Sequence, residues 1–142
     1  MTFLPNEGES AGLAMVRAMN YHLHFERTCR DGKQLLQLVL TTGDFNTLPF
    51  IPGFKCDNKA QILAEVPYEG SDIVLRCSMN QLAFTFSYGT SKDDLKVLAV
   101  VDGHVICPRV LGCMTGNIIG VYATGNGKDS SNQASFDWFD FA

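Results

Sequence analysis

Apolar and polar residues alternate through almost the whole sequence, which is the pattern of β-strands with one buried and one wet face. In residues 21–26 (YHLHFE), two histidines and a glutamate share one face, and a tyrosine, a leucine and a phenylalanine share the other. The next residues, Asp31-Gly32, have the composition of a hairpin turn, so residues 34–40 are predicted to form the returning strand. Residues 73–79 and 82–88 alternate in the same way and predict a second hairpin.

Further strands are predicted along the rest of the chain, at residues 11–19, 61–66, 97–102, 117–123 and 134–141. Helix signals are nearly absent, because the one candidate, residues 11–19, contains Gly12 and leads into β-rich sequence. The spacing is typical of an antiparallel β-sandwich. Residues 41–59 hold two prolines, two glycines and three phenylalanines, and are predicted to form a long loop.

Composition narrows the class of protein. At 142 residues the chain suits a single domain over residues 1–142, and 46% hydrophobic with 18% charged residues is typical of a packed globular protein. The net charge of -4 comes from interspersed acids and bases, so neither nucleic acid nor a membrane surface is an expected partner. We find no signal peptide in the sequence, and the localisation stays open.

The five cysteines show no C-x-x-C pair and no zinc-ligand spacing. Free cysteine is among the most buried residue types, so we interpret these residues as small hydrophobes within strands. The cysteines therefore do not indicate a redox compartment.

The last quarter of the sequence, residues 116–141 (GNIIGVYATGNGKDSSNQASFDWFDF), resembles the end of β-xylosidases and α-L-arabinofuranosidases of glycoside hydrolase family 43. Residues 3–5 (FLP) and 20–22 (NYH) are similar to the beginning of the same C-terminal domain. The resemblance implies a concanavalin A-like sandwich, or jelly roll, that accompanies a five-bladed catalytic propeller in cis or in trans. It also implies opening strands before Met1 that this chain lacks, so an unpaired sheet edge is expected.

Glycoside hydrolysis needs two carboxyl groups on opposite sides of one sugar bond. The acids of this sequence offer no such pair, and solvated turn or edge positions explain them. They fall at Glu7, Glu9, Asp93, Asp94, Asp137 and Asp140. No catalytic residue is therefore expected in this chain alone.

The resemblance also implies an aromatic side chain at the lip of the propeller's active site, within a G-G-F-T-G loop. The corresponding residues here are 112–116 (GCMTG), which place Met114 at the position of the phenylalanine. A thioether fills space but offers no flat π-face to a sugar ring, so Met114 is a weak replacement.

Sugar binding by a sandwich usually needs exposed aromatics surrounded by amides and carboxylates. We predict Tyr21, His22, His24, Tyr122 and Asn126 as carbohydrate-binding residues. Phe45, Phe50 and Phe54 decorate the predicted loop, and Trp138 is interpreted as a core residue of the final strand. The expected function is binding of xylan or xylo-oligosaccharides, or support of the catalytic propeller; the alternative is a structural or homo-oligomerisation domain without a ligand.

A third hypothesis is a metal-dependent, cupin-like enzyme. His22 and His24 lie one ligand-spacing apart on a strand face that also carries Glu26. A cupin glutamate comes later in the chain, however, and His104 fits the further ligand poorly. Asp137 could join a structural calcium site, but no cofactor or metal is required by the spacing.

Overall fold

The computed structural model describes residues 1–18, 20–43, 58–80, 82–106 and 116–141. These residues form antiparallel strands and one short 3-10 helix, Gly103–Ile106. The strands are β1 (Ser10–Ala18), β2 (Tyr21–Arg30), β3 (Lys33–Thr42), β4 (Lys59–Pro67), β5 (Val74–Asn80), β6 (Ala83–Ser91), β7 (Asp94–Asp102) and β8 (Ile118–Thr124). In this part of the chain no helix is long and apolar enough to cross a membrane.

The larger sheet has the strand order β4-β3-β2-β1-β8. Its central hairpin is joined at Asp31 and Gly32, whose φ angles of 53° and 70° are both positive, as a two-residue type I′ turn requires. Glu7 accepts hydrogen bonds from the backbone amides of both turn residues, at 2.8 and 3.0 Å. These bonds lower the pKa of Glu7 and fix the start of the chain against the hairpin.

The smaller sheet has the order β5-β6-β7 and covers the larger one. The core lies between the two sheets, where Leu23, Phe25, Leu36 and Leu38 of the larger sheet are almost fully buried. Phe25 meets Phe86 of the smaller sheet edge to face, with ring centroids 5.5 Å apart. Antiparallel pairing places every second side chain in this core, so the alternation in the sequence is the direct cause of the two layers.

The predicted all-β antiparallel sandwich is confirmed, and both predicted hairpins form. The predicted final strand at residues 134–141 is wrong, because Ser135 makes a single bridge to Thr2 and residues 136–141 are not in a strand. No described strand lies beside residues 136–141, so their backbone lacks the neighbour that would make them a strand. The interpretation of Trp138 as core is also wrong, since its side chain is 50% exposed and lies against the ammonium group of Lys92.

Some predicted features lie outside the described residues. These are Met114, most of the predicted loop of residues 41–59, and the loop phenylalanines Phe45, Phe50 and Phe54. Of the cysteines that the structure describes, Cys29 is buried in β2 and Cys77 is half-buried in β5, and both are free thiols. Burial raises the pKa of Cys77 to about 11.

Candidate functional site

The candidate site lies on the outer face of the larger sheet, which is the face turned away from the smaller sheet. Because side chains alternate along a strand, β2 directs His22, His24 and Glu26 to this outer face while Leu23 and Phe25 enter the core. Tyr21 packs against the core cluster on the opposite side. Two of the predicted sugar-binding residues of β2 are thus together, and Tyr21 is apart from them.

Tyr122 reaches the same outer face from the edge strand β8. It lies opposite Gly12 of β1, which in turn lies opposite Glu26 of β2. The Tyr122 hydroxyl donates a hydrogen bond to Oε2 of Glu26, so the side chain extends over β1. A Cβ atom at position 12 would lie 2.1 Å from the carbonyl oxygen of Phe25, so the close approach of β1 and β2 explains why the strand carries glycine there.

The outer face carries three rings in a row. The ring centroids of His22 and His24 are 4.4 Å apart with an interplanar angle of 26°, and His24 and Tyr122 are also 4.4 Å apart, at 32°. All three residues are half-buried. The facing surfaces within the row cover one another, so the parts left for a ligand are the ring edges, which carry the imidazole nitrogens and the phenol oxygen, and the outer faces of the two end rings. We refer to His22, His24 and Tyr122 as the ring row.

Glu26 lies beneath the ring row and is 6% exposed. Its Oε1 accepts a hydrogen bond of 2.6 Å from the side-chain amide of Gln37 on β3. Burial raises the pKa of Glu26, and the hydrogen bonds from Gln37 and Ser10 lower it by less. The carboxyl group is therefore a buried, hydrogen-bonded anchor for the residues above it.

The polar contacts continue toward the edge strand β4. Arg30 donates one hydrogen bond of 3.2 Å to Oε1 of Gln37 and forms an ion pair with Glu65. Tyr122, Glu26, Gln37, Arg30 and Glu65 thus link the outer face from β8 to β4. The sequence signal for Gln37 is a single polar residue inside the apolar run of β3, which by itself does not indicate a site.

His24 is neutral at ordinary pH. Burial, and secondarily the charge of His22, lowers the pKa of His24 to about 4. Nδ1 of His24 lies 3.8 Å from Oε2 of Glu26, but the low pKa of the imidazole means that the two groups do not form an ion pair near neutral pH. A neutral imidazole offers one donor and one acceptor, which are the two groups that a sugar hydroxyl can bind.

Asn126 lies apart from the ring row, in the turn that follows β8. Its φ angle is 51°, and its side-chain amide donates to the carbonyl oxygen of Gly8 at 2.7 Å and to Oγ of Ser10 at 3.3 Å. These contacts hold the turn against the start of β1. The structure therefore gives Asn126 a role in positioning the loop.

Glu9 is a second anchor that the sequence did not reveal. Its carboxylate accepts hydrogen bonds from the side chains of Asn132 and Ser130, at 2.7 and 2.6 Å, and from the backbone of Asn6, at 2.7 Å. These donors lower the pKa of Glu9 to about 2. Glu9 therefore joins the first and last segments of the described chain.

The geometry of the histidines does not favour the metal hypothesis. Ring nitrogens bind a metal in the plane of the ring, and the nearly parallel planes of His22 and His24 direct their nitrogens side by side. Within the described ranges, no group of three or more His, Cys, Asp and Glu side chains is placed to hold a metal ion. His104 is bound to Asp102 at the 3-10 helix, with Nδ1 2.6 Å from Oδ1.

A family model for the β-xylosidase C-terminal concanavalin A-like domain matches residues 1–142, the whole of the chain. The chain belongs to this family. It is 28% identical, over 142 residues, to a non-reducing-end α-L-arabinofuranosidase of Bacteroides ovatus, and the match covers 99% of the chain and 24% of that enzyme. The resemblance of residues 116–141 to family 43 enzymes is thus confirmed, and the sandwich of the family is the fold that the two sheets form.

Solved structures show the same fold. A structure described as Bacteroides ovatus xyloglucan PUL GH43B has a TM-score of 0.63 and 24% identity over 92% of the chain and 23% of that protein. A family 43 protein of Bacillus licheniformis has a TM-score of 0.70 and 16% identity over 91% of the chain and 23% of that protein. The chain therefore spans about a quarter of the length of these relatives.

Proposed function

We propose that this domain is a non-catalytic sandwich that binds xylan or xylo-oligosaccharides beside a family 43 catalytic domain. The ring row is the observation that carries the proposal. His22, His24 and Tyr122 form a half-exposed line of polar ring edges with ring centroids 4.4 Å apart. A line of donors and acceptors suits a ligand that is a chain of hydroxyl-bearing rings.

The hydrogen bonds beneath the ring row are consistent with the binding of a sugar. Tyr122 is held by Glu26, and Glu26 is held by Gln37, so the polar edges are fixed before a ligand arrives. Preorganisation of this kind reduces the entropy lost on binding. The proposed contacts are hydrogen bonds to the ring edges rather than stacking on the inner ring faces, since the facing surfaces within the ring row cover one another.

The catalytic partner is part of the same proposal. The relatives are about four times longer than this chain and include an α-L-arabinofuranosidase. We propose that a catalytic domain of this class is connected to the sandwich or binds it. The described residues contribute positioning and sugar contacts, and the acids Glu7 and Glu9 serve as structural anchors.

Calorimetry with xylo-oligosaccharides tests the sugar proposal. We expect binding heat with the wild-type chain, loss of that heat in His24→Ala, and retention in His104→Ala, which removes a histidine on the 3-10 helix. Circular dichroism of each variant checks folding. An absence of binding by the wild-type chain, or an equal loss in both variants, contradicts the proposal. Oligosaccharides of xyloglucan and of arabinoxylan, run in parallel, identify the preferred sugar.

The second candidate function is a structural one, in which the domain forms a homo-oligomer and binds no ligand. A surface separate from the ring row favours it. Val97 and Val100 lie on the outside of the smaller sheet and are 60% and 64% exposed. Contact with another folded surface would bury these two branched side chains, which lie on one strand face. Sedimentation velocity would show self-association that Val97→Asp weakens if this surface joins two copies, and a monomer at all concentrations would contradict that role.

A further inference from the structure

Asn126 and Gly127 are the two central residues of the turn that follows β8. Both have positive φ angles, of 51° and 85°, and the amide of Lys128 donates a hydrogen bond of 3.1 Å to the carbonyl oxygen of Gly125. These are the features of a type I′ turn, which favours the pair Asn-Gly because most other side chains are strained at positive φ. The turn therefore places a glycine directly after an asparagine.

An asparagine followed by glycine is the asparagine context most prone to deamidation. The backbone nitrogen of the following residue attacks the side-chain carbonyl carbon, and a five-membered succinimide ring forms. The proton of the attacking amide passes through solvent to the side-chain nitrogen, which leaves as ammonia. Water then opens the ring at either carbonyl group and gives aspartate or isoaspartate. Among the asparagines of the sequence, Asn126 alone precedes a glycine, which has no side chain to crowd the attacking nitrogen.

The backbone of the folded turn holds the two reacting groups apart. In a type I′ turn the first central residue has a ψ angle of roughly +30°, which directs the next nitrogen away from the Cβ atom of that residue. Ring closure needs the nitrogen of Gly127 to rotate to the side of the Asn126 Cβ atom. The hydrogen bond from Lys128 to Gly125 opposes this rotation.

The side chain of Asn126 is fixed as well. Its Nδ2 donates to the carbonyl oxygen of Gly8 at 2.7 Å and to Oγ of Ser10 at 3.3 Å. The backbone amide of Asn126 donates to Oγ1 of Thr124 at 3.0 Å. Rotation of the side-chain carbonyl carbon toward the Gly127 nitrogen would break the bonds to Gly8 and Ser10. Ring closure therefore requires the turn to open first.

We propose that Asn126 is a deamidation site, which the folded turn protects and which reacts when the turn opens. The opening is reversible and the reaction is not. In the product a carboxylate oxygen replaces the Nδ2 donor and would face the carbonyl oxygen of Gly8 with no hydrogen atom between them. Isoaspartate also routes the backbone through the former side chain, so the four-residue turn cannot re-form. The deamidated chain therefore keeps this turn detached from the start of β1.

Asn132 offers a comparison within the same chain. Its Nδ2 also donates to a backbone carbonyl oxygen, that of Leu4 at 2.9 Å, and to the carboxylate of Glu9 at 2.7 Å. Both asparagines are exposed, but Asn132 is followed by Gln133. The side chain of Gln133 crowds the attacking nitrogen, so Asn132 should react slowly whether the chain is folded or not. The ring row includes neither asparagine, so the proposal does not depend on sugar binding.

The first test compares the folded chain with the chain in guanidinium chloride, at the same temperature and mildly alkaline pH. Peptide mass spectrometry follows the conversion of each asparagine to the acid and separates aspartate from isoaspartate. We expect Asn126 to react about tenfold or more slowly in the folded chain, because the turn must open locally before the ring can close. In guanidinium chloride Asn126 should react faster than Asn132. Equal rates for folded and unfolded chain, or a faster reaction at Asn132, overturns the proposal.

The second test loosens the turn without changing either reacting residue. Thr124→Val keeps the shape of the side chain and removes the acceptor of the Asn126 amide. We expect Asn126 to react severalfold faster in the folded variant and at the wild-type rate in guanidinium chloride. Thr85→Val, on β6 of the smaller sheet, is the matched control. An unchanged rate in Thr124→Val, or an equal acceleration in both variants, contradicts the protection by the turn.

The third test examines the product. Asn126→Asp reproduces the direct product of deamidation, and Asn117→Asp adds the same charge at an exposed position just before β8. We expect the midpoint of thermal unfolding to be lower for Asn126→Asp by about 3 °C or more, because its carboxylate meets the carbonyl oxygen of Gly8. Equal midpoints would show that deamidation does not detach the turn.

Discussion

The hydroxyl group of Tyr122 donates a hydrogen bond to the carboxylate of Glu26 across the intervening strand β1. The contact joins the edge strand β8 to the middle of the larger sheet and places the phenol ring against His24, with centroids 4.4 Å apart. A buried carboxylate needs such donors, because burial without hydrogen bonds is costly. The packing of the ring row and the stability of the sheet therefore depend on the same pair.

Tyr122→Phe keeps the ring and removes this donor. We expect the free energy of unfolding to fall by about 1–3 kcal/mol, because a hydrogen bond to a buried ionisable group is lost. Urea denaturation measures the change. Tyr88→Phe is the matched control, since Tyr88 packs by its ring against Tyr68 at 5.9 Å in the other sheet, and an equal loss in both variants would contradict the assigned role of the Tyr122 hydroxyl.

The sequence predicts the strands because burial of one strand face makes apolar and polar residues alternate. This alternation can be seen within a short stretch of sequence. It placed His22 and His24 on one face for the same reason. The meeting of Tyr122 with Glu26 could not be predicted, since the two residues are 96 positions apart and their register depends on Gly12 between them. Long-range register requires the pairing of whole strands.

At the end of the chain, in contrast, the sequence predicts a strand that does not form. Phe136 and Trp138 alternate with polar residues, which predicted a strand, but alternation describes only the side chains. A strand also needs a neighbouring backbone, and none of the described strands lies beside residues 136–141. The sequence predicts solvated positions for Glu7 and Glu9, and Glu7 is exposed, but Glu9 is buried, because the sequence does not show which distant amide and hydroxyl groups surround a carboxylate.

Gly12→Ala should be strongly destabilising. A Cβ atom at this position would lie 2.1 Å from the carbonyl oxygen of Phe25 and 2.8 Å from Cα of Glu26, so the backbones of β1 and β2 would have to separate. We expect a loss of about 2 kcal/mol or more in the free energy of unfolding. Gly120→Ala is the control, because a Cβ there meets nothing within 4 Å, and similar losses in the two variants would contradict the steric explanation.

Glu9→Gln should remove part of the sensitivity of the protein to acid. The pKa of Glu9 is lowered to about 2 by donors that exist only in the folded chain. Between pH 4.5 and 2 the unfolded chain therefore binds the proton first, and wild-type stability falls as the pH falls. Thermal melts across this range should show a shallower decline for Glu9→Gln than for the wild type, and an equally shallow decline for Asp93→Asn, whose carboxylate lies in an exposed turn, would contradict the role assigned to Glu9.

His24→Gln tests the electrostatics of the ring row. The pKa of His24 is lowered to about 4 by burial and by His22, so between pH 6.5 and 4 the unfolded chain binds a proton that the folded chain does not. Stability should therefore fall as the pH drops through this range, by about 1–2 kcal/mol because the side chain retains some solvent contact. Glu26, whose raised pKa acts in the opposite direction, is present in both proteins, so the difference between their pH profiles isolates the histidine. Urea denaturation at several pH values should give a difference that shrinks as the pH falls, since the variant lacks the imidazole that the folded state must keep neutral. A constant difference from pH 6.5 to 4 would show that His24 titrates normally and that the rings are not packed as the structure has them.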